Sequence, residues 1–332
     1  MTANSSVFCI GELLIDFYCT DVDVGLVDGK NFEKQAGGAP ANVCASIVKL
    51  GGKAQFSGKV GNDAFGCFLK KTLDDCNVDT SLLLIDDEHP TTQSFVSLTA
   101  DGERDFIFNR GADTFVTEGE LNKEGIMKNN ILHFGSATAL LDEPFQSVYI
   151  NLMRDGNNQG KLISFDPNYR ENLWKGRVDK FKELAKQGMA VADFVKVSEE
   201  ELKILSGMED LIEGVMALHR MGAKTLAVTL GAEGTMISNG EEHEIVSSMK
   251  VISIDSTGAG DAFVGATLYQ LSKAECPKTV LANFEELKTI ISFSNKIGAL
   301  VCTKVGAISS LPTESEVLQF TMYNSQKINL FL

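Results

Sequence analysis

The chain has 332 residues, of which 44% are hydrophobic, so it can form one large α/β domain or two smaller ones. Its 30 Lys and Arg residues are outnumbered by 45 Asp and Glu residues, and the formal net charge is −15. A surface this acidic repels phosphate backbones and anionic lipids, which excludes nucleic acid and membrane surfaces as main partners.

The seven cysteines stand singly, mostly in apolar runs, and no CxxC pair occurs. This usage is typical of reduced thiols and predicts a cytoplasmic protein. Four histidines without an HExxH motif give no zinc site. Neither a signal-like segment nor an apolar run near the roughly 18 residues of a membrane span is seen, so we expect neither export nor membrane insertion.

The first part of the chain alternates between strand-like and helical patterns. Residues 7–19 (VFCIGELLIDFYC) form a nearly continuous apolar run, which predicts a strand buried on both faces. A helix is predicted over 39–50, a strand over 54–61 and a second helix over 63–76.

Residues 91–113 depart from this alternation, because two strand-like runs flank an Asp-Gly turn with no helix between them. The pattern predicts a β-hairpin. Its second strand places Arg104, Phe106, Phe108 and Arg110 on one face. Composition alone favours an ordinary edge extension of the sheet over a lid.

The alternation resumes in the second part of the chain. Strands are predicted over 130–135, 161–167, 194–197, 225–231 and 250–255, and helices over 143–155, 178–191, 199–206, 211–221, 261–274 and 283–300. This order predicts an α/β protein with a doubly wound, mostly parallel central sheet flanked by helices. Without a linker or an internal repeat, 1–332 is expected to be a single domain.

The turn STGAG, within 250–263, joins a predicted strand to a predicted helix. Helix N-termini present unpaired N–H groups, and Gly258 and Gly260 would let them approach an anion. The turn is not a Walker A loop, because Ala266 stands where a Lys is required. It is not a dinucleotide-binding GxGxxG either, since Phe263 occupies the third glycine position.

Asp261 directly follows this anion cradle. A carboxylate beside a bound phosphate is repelled unless it has another task, and accepting a proton from an alcohol is such a task. Asp261 would then be the base, while the amides of Gly258, Ala259 and Gly260 stabilise a transferring phosphoryl group. The alternative is an Asp that only favours the helix dipole.

The stretch DSTGAGDAFVGA closely resembles the signature of the ribokinase-like, or PfkB, family of carbohydrate kinases. Residues 35–52 (QAGGAPANVCASIVKLGG) and 58–66 (GKVGNDAFG) are similar to the N-terminal motif of that family, and the resemblance extends over 11–312. It implies a ribokinase-like fold. It also implies a small β lid, formed by about 17–35 and 88–113, that closes over the sugar and excludes water.

The resemblance also implies roles for individual residues, with Asp261 as the base and the backbone of Gly258–Gly260 as the anion hole. The implied sugar-binding residues are Asp16, Gly37, Gly38, Asn42, Arg104, Phe106 and Arg170. The implied nucleotide-binding residues are Ser198, Glu201, Thr229, Gly231, Gly234 and Asn295, together with Gly258 and Gly260. Ser198 stands where many members carry Asn. A solvated surface side chain is the alternative for Arg170.

ATP and Mg²⁺ are the cofactors that the resemblance implies, with Glu201 organising the Mg²⁺ through water. It also implies a site for K⁺ in two loops that contain Asp255, Thr257, Lys304, Gly306 and Ser310. Carbonyl ligands are poorly identified from sequence, so this cation site is a hypothesis.

GELLIDFY and ERDFIFNRGAD look most like fructokinases within the family, so the expected reaction transfers the ATP γ-phosphoryl group to the 6-hydroxyl of D-fructose. The alternatives are ribokinase and 2-keto-3-deoxygluconate kinase, whose acid sugar Arg104, Arg110 and Arg170 could bind. A non-catalytic regulatory protein that binds sugar or nucleotide is the alternative of another class, against which Asp261 argues. The exposed hairpin edge predicts a homodimer through the lid.

Overall fold

The computed structural model describes residues 6–98 and 104–320. Its strands are β1 Val7–Ile10, β2 Leu14–Cys19, β3 Phe32–Gly37, β4 Ala54–Ser57, β5 Lys59–Gly61, β6 Leu84–Asp86, β7 Gln93–Leu98, β8 Arg104–Asn109, β9 Ile131–Phe134, β10 Leu162–Phe165, β11 Phe194–Ser198, β12 Thr225–Thr229, β13 Gly234–Ser238 and β14 His243–Ser247. Its helices are α1 Ala39–Lys49, α2 Ala64–Asp75, α3 Lys123–Ile126, α4 Phe145–Asn158, α5 Glu171–Trp174, α6 Val178–Met189, α7 Glu199–Ser206, α8 Leu211–Arg220, α9 Ala259–Ser272, α10 Pro277–Ala282 and α11 Phe284–Val301.

In the part of the chain that is described, the central sheet has eight strands in the order β14-β13-β12-β11-β10-β9-β1-β4. All neighbours from β4 to β12 are parallel, and β13 and β14 add an antiparallel edge. One apolar core lies between the sheet and α1, α9 and α11, and another lies between the sheet and α4, α6, α7 and α8. The predicted fold, an α/β protein with a mostly parallel sheet covered on both faces, is confirmed.

A smaller, separate sheet has the strand order β3-β2-β7-β8. Its strands β7 and β8 are the predicted hairpin, whose Asp-Gly turn lies outside the described residues. The prediction of one strand over 7–19 is wrong, because the chain leaves the central sheet after β1 and enters the small sheet as β2. Gly11 makes this change of direction possible: its φ is +154°, and a Cβ there would lie 2.6 Å from Pro40 Cγ.

The predicted strand over 250–255 is also wrong. β14 already occupies this edge of the sheet, and Ile252 and Ile254 are 87% and 66% exposed. The amides of Ile254 and Asp255 donate instead to the carbonyl oxygen of Cys302. The segment is therefore a loop that runs beside the end of α11 and leads into α9.

The small sheet packs on the body through aromatic side chains. Phe17 of β2 stacks on Phe95 of β7 with ring centroids 4.9 Å apart, and Phe65 of α2 meets Phe17 edge to face at 5.6 Å. Lys34 of β3 lies 3.7 Å from the ring centroid of Phe68, also on α2. The sheet is thus attached to α2 along one face.

Two adjacent threonines join the small sheet to the body at the start of β7. The Thr91 hydroxyl donates to Asp63 at 2.8 Å, and the Thr92 hydroxyl donates to the fully buried Asp113. Thr92 also accepts the amide of Gly111, which follows β8, at 2.8 Å. Both ends of the hairpin are therefore held at one point.

Among the described residues, the structure contains no helix whose length and apolar character would suit it to crossing a membrane.

Candidate active site

The two sequence motifs, far apart in the chain, meet at the N-termini of α1 and α9. The Asn42 Nδ2 atom of α1 donates a hydrogen bond of 2.8 Å to Asp261 Oδ2 of α9. The two helices also share one core, which fixes their N-termini beside each other. Because both follow the carboxyl ends of sheet strands or their connecting loops, their free amides open on the same edge of the fold.

Gly258 ends the loop before α9 in the left-handed conformation, with φ +76°. A Cβ there would lie 2.9 Å from the Ala307 Cβ, so the position needs glycine. The amides of Gly258 and Gly260 have no hydrogen-bond acceptor among the described residues, whereas the Ala259 amide donates to Ser256 O at 3.2 Å. Two of the three amides predicted to form the cradle are therefore free to bind an anion.

Asp261 is half-buried in the first turn of α9. Burial raises the pKa of its carboxyl group to about 6, against the opposing effects of the Asn42 hydrogen bond and the Arg170 charge. At neutral pH the group is still mostly ionised. It is a stronger base than an exposed aspartate, as proton abstraction requires.

Asn42 is 7% exposed and uses only one end of its amide. Its Nδ2 atom donates to Asp261, but its buried Oδ1 atom has no hydrogen-bond partner among the residues that the structure describes. Buried polar atoms in folded proteins are nearly always satisfied. This free acceptor beside the candidate base is therefore well placed to accept a hydrogen bond from a ligand hydroxyl.

The predicted glycine pair before α1 is required by close approaches. A Cβ on Gly37 would lie 2.0 Å from Asp16 Oδ2, and a Cβ on Gly38, whose φ is +117°, would lie 2.3 Å from Glu12 O. The buried Glu12 carboxylate accepts the amide of Ala39 at 3.0 Å and so caps α1. Sequence reasoning missed Glu12, although an acid in an otherwise apolar run was a signal.

Asp16 accepts a hydrogen bond from the Ser94 hydroxyl of the neighbouring strand β7. Burial raises its pKa, while Ser94 and the charge of Arg170 act in the opposite sense. Arg170 therefore lies close enough to influence both Asp16 and Asp261. Asp16 and Asp261 are therefore influenced by the same cation.

Phe106 lies on the same face of the small sheet as Ser94, as the strand registers require, and stacks on Phe108 with centroids 5.8 Å apart. Arg104 begins β8, but its side chain lies outside what the structure describes.

Glu201 and Ser198 form a capping box at the start of α7. The Ser198 amide donates to Glu201 Oε2 at 2.6 Å, and the Glu201 amide donates to Ser198 Oγ at 3.1 Å. Glu201 Oε1 accepts the Tyr169 amide at 2.7 Å, which anchors the loop that presents Arg170. Both carboxylate oxygens of Glu201 thus already accept backbone amides.

A second anchor of that loop escaped sequence reasoning. Asp166 Oδ2 forms an ion pair of 2.9 Å with Lys196 Nζ of β11, and both side chains are buried. Asn168 adopts a φ of +51° and donates from Nδ2 to Gly135 O at 2.6 Å. Single buried charges inside strand-like patterns give no signal in a sequence until the fold pairs them.

The predicted nucleotide residues divide into two groups. Thr229 ends β12, and Gly231 follows it with open space where a Cβ would lie. Gly234 has a φ of +122°, and a Cβ there would lie 2.1 Å from Val246 O, so β14 accounts for this glycine. Asn295 donates to Val246 O at 2.8 Å and accepts from Thr235, which ties α11 to β13 and β14.

The two predicted cation loops do meet. Asp255 Oδ1 accepts the Thr257 amide at 2.9 Å, and its Oδ2 accepts the Gly306 amide at 2.9 Å. Lys304 pairs with Glu316 at the surface, at 3.2 Å. The Ser310 hydroxyl donates to the carbonyl oxygen of Ala307 at 2.8 Å. Within the described residues, no three His, Cys, Asp or Glu side chains are grouped to hold a metal ion.

The comparisons with known proteins agree on one family. The family model of the pfkB family carbohydrate kinases matches residues 4–314. Fructokinase-1 of Zea mays is 43% identical over 319 residues, which cover 94% of this chain and 96% of the relative.

Solved structures give the same result. A double mutant of the Vibrio cholerae O395 fructokinase, with fructose, ADP and potassium ion bound, has a TM-score of 0.84 at 34% identity, covering 96% of this chain and 98% of that one. The Xylella fastidiosa fructokinase with bound ATP has a TM-score of 0.87 at 30% identity, covering 97% and 99%. The chain therefore belongs to the pfkB family of carbohydrate kinases.

Proposed function

We propose that this protein is an ATP-dependent fructokinase that transfers the γ-phosphoryl group to the 6-hydroxyl of D-fructose. The observation that carries the proposal is the meeting of Asn42 and Asp261 beside the free amides of α9. The high identity to the Zea mays fructokinase over nearly the whole chain supports fructose as the sugar.

In this reaction Asp261 accepts the proton of the sugar hydroxyl while that oxygen attacks the γ-phosphorus. The bond between the γ-phosphorus and the bridging oxygen breaks, and ADP leaves with the electron pair. The amides of Gly258 and Gly260 would donate to the transferring group, where negative charge must be stabilised. Their preorganisation by the helix means that little reorganisation is needed during transfer.

The sugar would lie between the small sheet and the N-terminus of α1. Asp16 can accept hydrogen bonds from sugar hydroxyls, Asn42 Oδ1 has no partner among the described residues, and Gly37 leaves the backbone accessible. The small sheet would act as a lid over the bound sugar and exclude water. Both ends of the hairpin are held at Thr91 and Thr92, which supports movement of the hairpin as a unit.

ATP fits the free helix-terminal amides, and Gly231 leaves room beside the end of β12. Mg²⁺ bound with the nucleotide would neutralise phosphate charge. Glu201 could act on it only through water, because its oxygens already accept the Ser198 and Tyr169 amides. A K⁺ ion would be held by carbonyl oxygens of the loops that Asp255 joins.

The charges of the site favour a neutral sugar over an acid sugar. Arg110, one of the arginines considered for binding a keto acid, is already paired with Asp113 at 2.9 Å and Asp142 at 3.2 Å. The charge of Arg170 acts on both Asp16 and Asp261. The positive charges of Arg110 and Arg170 are thus already balanced by protein carboxylates. A substrate carboxylate would add negative charge there and would be disfavoured.

The test measures ADP release with fructose, ribose and 2-keto-3-deoxygluconate, each for the wild type and for Asp261→Asn. Fructose should give the highest kcat/KM, phosphorus NMR should place the phosphate on C6, and Asp261→Asn should reduce kcat by a factor of 10² or more. Preference for the keto acid would overturn the substrate. Turnover unaffected by Asp261→Asn would refute the role of Asp261 as the base. If the wild type showed no turnover with any of the three sugars, a non-catalytic regulatory binding protein would be favoured instead.

We further propose a homodimer through the edge of the small sheet and a cytoplasmic location. The exposed strand β8 offers unpaired backbone groups for a second copy. All seven cysteines are free thiols, which suits a reducing compartment.

A further inference from the structure

Strand β11 carries a buried lysine that the mechanism above does not use. Lys196 is 9% exposed and forms an ion pair with Asp166 at 2.9 Å. Placing an ammonium group in a protein interior is costly unless it is paired and hydrogen-bonded. The groups around the Lys196 ammonium therefore indicate its role.

The ammonium group lies beside the anion cradle. A Cβ built on Gly260 would be 3.5 Å from Lys196 Nζ and 4.0 Å from its Cε. Any larger side chain at position 260 would extend from that Cβ across the amine. Because this position is glycine, the amine and the Gly260 amide can face the same space.

The charges around the amine leave it protonated. Burial alone would lower the pKa of Lys196, but the carboxylates of Asp166, Glu201 and Asp261 raise it above its ordinary value. Three carboxylates act on Lys196, so an incoming phosphoryl group needs the positive charge of the lysine to offset them. Arg170 is the other cation that acts on Asp261, from the loop on which Asp166 also lies.

We propose that Lys196 is a second electrophilic group of the transfer site, and that its ammonium donates a hydrogen bond to an oxygen of the transferring phosphoryl group. The hydroxyl proton still goes to Asp261, and the bond to ADP still breaks. Lys196 keeps its protons throughout and stabilises the charge spread over the phosphoryl oxygens in the transition state. This inference rests on the proposed kinase function.

A purely structural role makes a different prediction. If Lys196 only neutralised Asp166, then Lys196→Met would leave an unpaired buried carboxylate, and replacing both residues would remove the problem. The double variant Lys196→Met/Asp166→Asn would then recover both folding and activity. If Lys196 contacts the phosphoryl group, the double variant should fold and remain inactive.

The experiment compares kcat, the KM for fructose and the melting temperature of the wild type, Lys196→Met, Asp166→Asn and the double variant. We expect the double variant to melt near the wild type while its kcat stays about 10² to 10³-fold lower, with the KM for fructose changed less than threefold. Recovery of kcat to within about fivefold of the wild type would overturn the inference. In Lys196→Met alone, the acid limb of the pH profile should also move upward, because the lysine charge lowers the pKa of Asp261.

Lys59→Met is the matched control. Lys59 is likewise buried, at 7% exposure, and pairs with Asp86 at 3.0 Å, but it lies on β5, outside the candidate site. It should lose stability as Lys196→Met does, while kcat per folded molecule stays within about twofold of the wild type. If the wild type itself does not phosphorylate fructose, the proposed function fails. An active wild type with an active double variant refutes only the role of Lys196.

Discussion

At the scale of single residues, the candidate base combines two opposing demands. Burial raises the pKa of Asp261, which makes it a better proton acceptor but makes the charged folded state less favourable. The Asn42 hydrogen bond partly compensates. Activity and stability should therefore respond in opposite directions to changes at this residue.

The pH profile of kcat/KM should show an acid limb near pH 6. The pKa of Asp261 is raised to about 6, so the carboxylate is progressively protonated below that pH and cannot accept the hydroxyl proton. Initial rates between pH 4.5 and 8.5 measure the limb. Ser94→Ala, which removes a donor to Asp16 but not to Asp261, should leave the limb in place. A limb near pH 4 would contradict the assignment.

Asp261→Asn should reduce kcat by a factor of 10² or more and still raise the free energy of unfolding by about 1–3 kcal/mol at pH 7.5. With a folded pKa of about 6, above the ordinary 3.8, the carboxyl group favours the folded state below pH 3.8 and loses that contribution as the pH rises through 6. The gain should therefore shrink as the pH falls from 6 towards 4. Urea unfolding measures it, and Asp75→Asn, at an exposed site, is the control.

The sequence revealed some of these residues and concealed others. Gly258 and Asp261 were found because small residues followed at once by an Asp, at a turn leading into a helix, are typical of an anion site with a base beside it. Lys196 was not found, since a lone charge in a strand-like segment looks the same whether it is exposed or buried. Glu12 was overlooked although it interrupts an apolar run. Only the fold shows that Lys196 and Glu12 are both buried.

At the scale of elements, the geometry of the sugar side depends on how tightly β3 and α1 approach β2. Gly37→Ala should raise the KM for fructose by about tenfold or more, because the new Cβ would lie 2.0 Å from Asp16 Oδ2 and displace it. The KM for ATP should change little. Gly119→Ala, where a Cβ meets nothing within 4 Å, is the control. An unchanged KM for fructose would remove Asp16 from the sugar site.

The attachment of the hairpin offers a second test among the elements. Thr92→Val keeps the shape but removes a donor to the buried Asp113 and the acceptor of the Gly111 amide, so the free energy of unfolding should fall by about 1–3 kcal/mol. Thr289→Val, at an exposed helical site, should change it by less than about 0.5 kcal/mol. Equal effects of the two substitutions would show that this attachment contributes nothing to stability.

Element boundaries were predictable where one periodicity prevailed. α7, at Glu199–Ser206, lies where the pattern placed it, because its capping box and apolar spacing agree. The run 7–19 was misread because strands of two different sheets share the same apolar character. β14 was missed because His243–Ser247 is mostly exposed and has no buried apolar run. β13, at Gly234–Ser238, is wholly buried and was also missed.

For the whole molecule, alternating strand and helix patterns were enough to predict the layered architecture, since a parallel sheet leaves its helices few places to lie. They could not give the oligomeric state, because an exposed strand edge is compatible with a monomer or a dimer.

Ile107→Lys should convert the proposed dimer into a monomer. Ile107 is 48% exposed on β8, the edge strand of the small sheet, and a charge there would oppose close pairing with a second copy. Light scattering should give twice the chain mass for the wild type and once for the variant. Ile212→Lys, on the surface of α8, is the control. A monomeric wild type would refute the dimer.

The short passage from Gly11 to Leu13 carries a further consequence, since it is the covalent joint between the two sheets. Glu12, inside that joint, caps the helix from which Asn42 reaches the base. A tilt of the small sheet would therefore move Glu12, and through α1 and Asn42 it would change the position of Asp261. Asp261 would then be correctly placed only when the sugar is bound and the small sheet is closed. Water would not be activated in place of the sugar, so ATP would be protected from hydrolysis.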